Sequence, residues 1–212
     1  MITIQEELLN RLRNDLANTM SPKRLRHTLA VEEMAVRLCA LFCPEQTVLL
    51  RAAALLHDVT KELSTDEQAA LCNAYGIPLD AEDLLSPKTL HARTAAAKIP
   101  KEFPEFAHPT VIDAVRWHTT GRKGMTLTEK LLYLADYIDE SRTFPNCVLL
   151  RRCFFEATPE KMSHKERLAL LDDTLILSFD MTVRDLLAEG TPIATDTVAA
   201  RNDLILQTSQ RV

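Results

Sequence analysis

Ala52-Ala53-Ala54-Leu55-Leu56-His57-Asp58-Val59-Thr60-Lys61 is the stretch on which the fold turns. Its first five residues are too uniformly apolar for a surface helix and belong in a core. It then places an imidazole beside a carboxylate, with a lysine three residues beyond the aspartate. Neighbouring side chains diverge by about 100° in a regular helix. His57 and Asp58 can therefore converge only where the helix stops, and the β-branched Val59 and Thr60 mark where it would fray. Neutral imidazole with carboxylate suits Zn, Mn, Fe, Co or Ni better than a thiolate-selecting site would. Taken alone, such a pair is more often a hydrogen-bonded core histidine followed by a loop aspartate, so the rest of the chain has to decide.

Working outward, Pro44 opens the helix that carries this stretch. Upstream, an amphipathic helix over 4–20 buries Leu8, Leu9, Leu12 and Leu16, and Ser21-Pro22 starts a second one that runs to Phe42 with His27 near its apolar stripe. Downstream, the capping box Ser64-x-x-Glu67 begins a short helix that Gly76 ends. Residues 77–85 read as a loop with a helical turn. Ser86-Pro87 begins a helix with His91 in its second turn, expected to stop before Pro100, and 101–108 is a connector. Pro109 opens a helix ending at His118-Thr119-Thr120-Gly121. A second box, Thr126-x-x-Glu129, begins a helix over 127–139 with Asp136 among core-like leucines. Helices over 146–156, 166–189 and 197–207 complete an all-α, single-domain reading with no repeat and no long linker.

Composition agrees. Of 212 residues 46% are hydrophobic and only 4 are glycine, which favours helices over sheets and turns. A net charge of −5 argues against an extensive nucleic-acid groove. No apolar run approaches the ~20 residues of a membrane span, and Glu6 and Glu7 are foreign to a signal peptide. The five cysteines include no Cys-x-x-Cys, so neither a disulfide framework nor a zinc ribbon is favoured and a reducing cytoplasm is the expected setting. Cys39 and Cys43 share a helix face as small apolar packing.

His27, His57, Asp58, His91, His118 and Asp136 are the polar ligands lying on otherwise apolar faces, and they come from five predicted helices. Each could be a satisfied core group. Asp136 is the hardest to treat so, because an unpaired buried carboxylate costs several kcal/mol. A shared divalent cation removes that cost, and the surplus of imidazoles makes room for two. Such a pair can hold a bridging hydroxide and clamp a phosphate during in-line displacement. His108 and His164 read as structural or exposed, and Trp117 as core packing rather than a base-stacking ring.

His27, then His57-Asp58, then Asp136 resembles the H…HD…D signature of the HD-superfamily metal phosphohydrolases. The likeness is strongest to their bacterial YqeK-type branch of symmetrical bis(5′-nucleosyl)-tetraphosphatases. It is carried by Ser21–His27, Leu55–Glu62, Trp117–Gly121, Ala135–Ile138 with Arg142, and Thr197–Asn202. The resemblance implies an HD-domain helical bundle with its core over about 21–142 and the helices of 146–207 packed on it. It further implies two di- or trivalent metal ions, iron foremost, with Mn, Co, Ni, Zn and Mg as alternatives. His27, His57, Asp58 and Asp136 would hold the first ion, with Asp58 bridging, and His91 and His118 the second. The implied reaction is hydrolysis of diadenosine tetraphosphate to two ADP. A homodimer is compatible with it, and a nucleic-acid or membrane partner is not expected. The family usually follows its His91 equivalent with a Gly-rich turn, where this chain has Ala92-Arg93-Thr94.

The residues suit a polyphosphate on their own account. Lys61 can place an ammonium on a non-bridging oxygen, and Arg142 can fork two oxygens bidentately. Thr119 and Gly121 could bring backbone N–H groups to phosphate, and Arg24 and Lys23 could form a basic rim near His27. Asp58, Lys61 and Arg142 are thus the catalytic candidates. Two other readings are a different HD-type nucleotide phosphohydrolase or phosphodiesterase, and a non-catalytic nucleotide-binding HD domain. The Gly-Tyr-Pro motif of cyclic-dinucleotide hydrolysis and the downstream Glu-Asp pair of guanosine tetraphosphate hydrolases are both absent, whereas every expected metal ligand is present.

Overall fold

Eleven α-helices, joined by short turns and four 3₁₀ segments, make up residues 4–209, the part of the chain that this computed structural model describes (for Glu82, the backbone only). No strand occurs among the described residues. The helices are α1 (Glu6–Thr19), α2 (Pro22–Phe42), α3 (Thr47–Leu56), α4 (Thr65–Tyr75), α5 (Ala81–Leu85) and α6 (Leu90–Glu102). Then follow α7 (Pro109–Trp117), α8 (Leu127–Ile138), α9 (Pro145–Glu156), α10 (His164–Glu189) and α11 (Thr195–Ser209).

The centre is α3. Its residues Ala52 to Leu56 are all 0% exposed, enclosed by α1, α2, α7 and α8. The three alanines let neighbouring helices approach closely, and each buried leucine adds about 2 kcal/mol of hydrophobic stabilisation. Around this axis α6 packs on α4 and α7, while α10 packs on α2, α8, α9 and α11.

The local signals hold where they are strong. Ser64–Glu67 and Thr126–Glu129 both form reciprocal capping boxes, and Gly76 ends α4 at φ 68°. Several boundaries differ: α3 itself begins at Thr47, after a 3₁₀ turn over Pro44–Gln46, and α11 starts two residues early and ends two late. The helix expected to stop before Pro100 runs to Glu102, with Pro100 inside its last turn and the bond to the Ala96 carbonyl given up there. Ser86-Pro87 starts only a 3₁₀ turn over Pro87–Thr89, so His91 lies in the first turn of α6 rather than the second. Helix α10 begins at His164, two residues early, under a third capping box of Ser163 and Glu166.

Candidate metal centre

Helix α3 does stop at Leu56, as its last residues predict. The chain then tightens into turns closed by Val59 N→Leu56 O at 3.3 Å, Lys61 N→Asp58 O at 3.0 Å and Leu63 N→Thr60 O at 3.2 Å. These turns aim His57 and Asp58 at one point, with Nε2 of His57 3.3 Å from Oδ2 of Asp58. A buried polar network fixes the loop against α6. Thr60 donates to the carbonyl of His91 at 3.0 Å, and Thr94 donates to Gln68 Oε1 at 2.7 Å, while Gln68 in turn donates to the carbonyl of Thr60. Thr94 therefore has a structural use at the position where a Gly-rich turn was the expectation.

Five elements bring the six candidate ligands together. His27 comes from α2, His57 and Asp58 from beyond α3, His91 from α6, His118 from the end of α7 and Asp136 from α8. Oδ2 of Asp58 faces Nε2 of His57 and of His27, the latter at 3.7 Å, and Asp136 Oδ1 lies 2.9 Å from Nε2 of His27. Oδ1 of the same Asp58 lies 3.2 Å from Nε2 of His91 and 3.8 Å from Nε2 of His118. One carboxylate thus faces two ligand groups.

The imidazole hydrogen bonds favour a cation there. Nδ1 of His57, His91 and His118 each meets a main-chain carbonyl three residues back, Ala54 O at 2.6 Å, Lys88 O at 2.8 Å and Val115 O at 2.7 Å. A carbonyl only accepts, so each Nδ1 must carry the proton and each neutral Nε2 presents a bare lone pair. Nε2 of His91 and Nε2 of His118 nevertheless stand 3.0 Å apart. Two lone pairs at that distance repel unless a cation serves both, since the one hydroxyl within reach, that of Thr119, carries a single proton and can donate to only one of them at a time. Nε2 of His57 is buried with no hydrogen-bond partner. This donor set, neutral nitrogen with carboxylate oxygen, fits hard and borderline divalent metals.

Charge states agree. Burial lowers His91, and burial together with His91 and His57 lowers His118 to about 3, so both are neutral. Burial opposes ionisation of Asp58 and Asp136, yet the imidazoles around the first and the Arg142 guanidinium beside the second hold both well below the usual carboxylate range.

His27 behaves differently. Burial acts against its charge, but Asp136 and Asp139 outweigh it and raise the imidazole to about 9. A base raised in the folded state stabilises fully below its unfolded value, ordinarily about 6.5, and loses that contribution as pH rises through the folded one. Chelator-treated protein is therefore expected to lose roughly 2–3 kcal/mol between pH 6.5 and 9 relative to a His27→Gln variant. Denaturant titrations at the two pH values read this difference, and parallel pH profiles for the two proteins would contradict it.

Asp139 escaped the sequence reading. It is fully buried, and its Oδ2 lies 3.3 Å from Nδ1 of His27, on the far side of that ring from Asp136. Its Oδ1 accepts from Ser141 N at 2.8 Å and from the Ser141 hydroxyl. The only sequence signal was an acid three residues after Asp136, one helical turn on.

The remaining candidates are placed as follows. Arg24, Asp58, Lys61, His91, His118, Thr119, Asp136 and Arg142 line one cavity of about 550 Å³. Arg24 forms an ion pair with Asp58. Nζ of Lys61 lies 3.2 Å from Nδ1 of His91, and burial lowers its pKa against the pull of Asp58 and Asp136. Thr119 Oγ1 sits 3.2 Å from Nε2 of His118 and 3.3 Å from Nε2 of His91. Arg142, a candidate to fork two phosphate oxygens, is engaged within the chain in this structure. Its Nη2 is 2.5 Å from Oδ1 of Asp136 and its Nε donates to the Asp136 carbonyl at 2.7 Å. Gly121 lies outside this cavity, and its N–H donates to Trp117 O at 2.9 Å.

The chain belongs to the HD domain family, whose model matches residues 24–141, the segment that contains all six candidate ligands. Within that family it is 32% identical over 190 residues to a symmetrical bis(5′-nucleosyl)-tetraphosphatase of Halalkalibacterium halodurans, covering 89% of this chain and 92% of that one. It is 29% identical to the Bacillus subtilis protein of the same name, covering 88% and 91%. Among solved structures, an HD superfamily hydrolase from Clostridium acetobutylicum, described as involved in NAD metabolism, superposes with a TM-score of 0.80 at 32% identity and covers 93% of this chain and 97% of that one.

Proposed function

We propose that this chain hydrolyses dinucleoside tetraphosphates, foremost diadenosine tetraphosphate, at the central phosphoanhydride to give two nucleoside diphosphates. The observation that carries the reading is Asp58, whose two oxygens face two separate groups of imidazoles, His27 with His57 and His91 with His118, beside a cavity that also holds Arg24, Lys61 and Arg142. The two bacterial symmetrical tetraphosphatases that match this chain along about nine-tenths of their own lengths support it.

His27, His57, Asp58 and Asp136 would hold one ion, and Asp58, His91 and His118 the other, with iron the first choice. Bound ions there supply Lewis acidity toward water and phosphoryl oxygen. The chain's own residues do the rest. The three main-chain carbonyls that accept from Nδ1 lock each imidazole with Nε2 inward. Lys61 places a cation beside His91, where a non-bridging phosphate oxygen can meet it. Arg142 braces Asp136 through carboxylate and carbonyl together, a two-point hold that lysine cannot reproduce. Arg24 pairs with Asp58 through the carboxylate alone.

Five free cysteines and the nucleotide substrate suit a cytoplasmic enzyme, and the negative net charge suits a small-molecule substrate rather than nucleic acid. No helix among the described residues is long and apolar enough to cross a membrane. The test is product analysis of metal-loaded protein with diadenosine tetraphosphate. Two ADP, formed only without chelator, is the expected result. ATP with AMP, or no hydrolysis, would contradict the reading.

A further inference from the structure

The cavity that holds the ligands has a second wall of different chemistry. It is built from the end of α8, the first turn of α9 and the middle of α10, and includes Tyr137, Phe144, Asn146, Thr182 and Asp185. No cation from α9 or α10 lines it. At about 550 Å³ the cavity falls in the range of about 300–1,000 Å³ usual for small-ligand sites, and it has more room than a polyphosphate segment alone requires.

Phe144 is the salient residue of this wall. It is 66% exposed although it lines a polar cavity, and it caps the N-terminus of α9 directly before Pro145. Proline restricts the residue before it to extended backbone, and Phe144 has φ −62° and ψ 138°. The ring is thus carried on a stiff backbone at the lip of the cavity. An aromatic face so held is a stacking platform, and stacking is open to every nucleobase.

Beside it, Asn146 Nδ2 donates to Asp185 Oδ2 at 3.0 Å, tying α9 to α10. This leaves Asn146 Oδ1 and Asp185 Oδ1 as two acceptors on the cavity wall. A carboxylate repels phosphate and accepts from hydroxyl groups. The wall is therefore suited to the neutral, donor-rich part of a nucleotide, while Arg24, Lys61 and the metal ligands suit its phosphates.

We propose that Phe144, Asn146 and Asp185 form a nucleoside subsite, in which the Phe144 ring stacks on the base and the Asn146–Asp185 pair accepts from the ribose hydroxyls. This rests on the proposed reaction and specifies how one half of its substrate is held. The subsite discriminates ribose from its deoxy forms and is tolerant of the base.

The test is calorimetric binding of ADP, 2′,3′-dideoxy-ADP and inorganic pyrophosphate to metal-loaded protein. Phe144→Ala is expected to weaken ADP about tenfold and to leave pyrophosphate within twofold, while Phe144→Trp retains ADP affinity. Asp185→Asn is expected to erase the preference for ADP over the dideoxy compound. Both residues are exposed, so the variants should fold. Phe144→Ala binding ADP as wild type does, or weakening ADP and pyrophosphate alike, would overturn the subsite while the hydrolase reading stands. Wild-type protein that binds neither ADP nor pyrophosphate would overturn both.

Discussion

Asp58→Ala is expected to strip both ions from the protein and to lower turnover of diadenosine tetraphosphate by roughly 10³-fold or more. The size follows from geometry. Oδ2 lies 3.3 Å from Nε2 of His57, and Oδ1 lies 3.2 Å from Nε2 of His91. No other side chain among the six faces both groups this closely. Its removal takes an anionic ligand from each side at once and leaves the Arg24 guanidinium, paired with Asp58 in the native protein, without its partner. Loss of several kcal/mol of transition-state charge stabilisation corresponds to about tenfold per 1.4 kcal/mol. The helices should survive, because Asp58 lies beyond the end of α3 and outside its apolar packing. Circular dichroism, metal content and kcat measured on one preparation separate these effects. Wild-type metal content and turnover would make Asp58 a loop carboxylate whose use is to pair with Arg24.

A second large effect is expected on stability. Gly121→Ala should destabilise the protein by roughly 2–5 kcal/mol, the sum of left-handed strain and overpacking. Gly121 has φ 64°, and a Cβ there would lie 2.7 Å from Cζ of Phe179 and 3.0 Å from Cβ of Ala200. Phe179 is 0% exposed and has no free space into which to swing. Gly124→Ala is the control, since Gly124 has φ 70° but nothing within 4 Å of the added carbon. It carries the backbone strain without the clash. Thermal melts should therefore place Gly121→Ala well below Gly124→Ala, by about 2–4 °C per kcal/mol of difference for a chain of this size. Equal melting temperatures would mean that Phe179 and Ala200 move aside without cost.

Gly121 also shows what a sequence hides. Its place after His118-Thr119-Thr120 suggested a phosphate contact, whereas its N–H closes the turn on Trp117 and its missing side chain makes room for Phe179. That neighbour lies far along the chain, and no local pattern announces it. The six candidate ligands, which the fold does bring together, could be picked out for the opposite reason. Each is a polar residue on an apolar helical face, and the helices themselves announce their ends through Ser64, Thr126 and Gly76. Asp139 was missed because an acid at a helix end has an ordinary explanation as a solvated charge, and only the tertiary approach of α2 makes it the partner of His27. The same holds for Arg142, whose pairing with Asp136 depends on how the loop after α8 turns back. The wall formed by Phe144, Asn146 and Asp185 depends on α10 crossing α9, a contact without local signature.

On the reading proposed above, six side chains from five elements hold two cations. Anomalous diffraction from crystals of the metal-loaded protein, with metal analysis of the same sample, tests it most directly. Two ions per chain are predicted, one among His27, His57, Asp58 and Asp136 and the other among Asp58, His91 and His118. No ion at these residues, or ions bound only elsewhere, would contradict it.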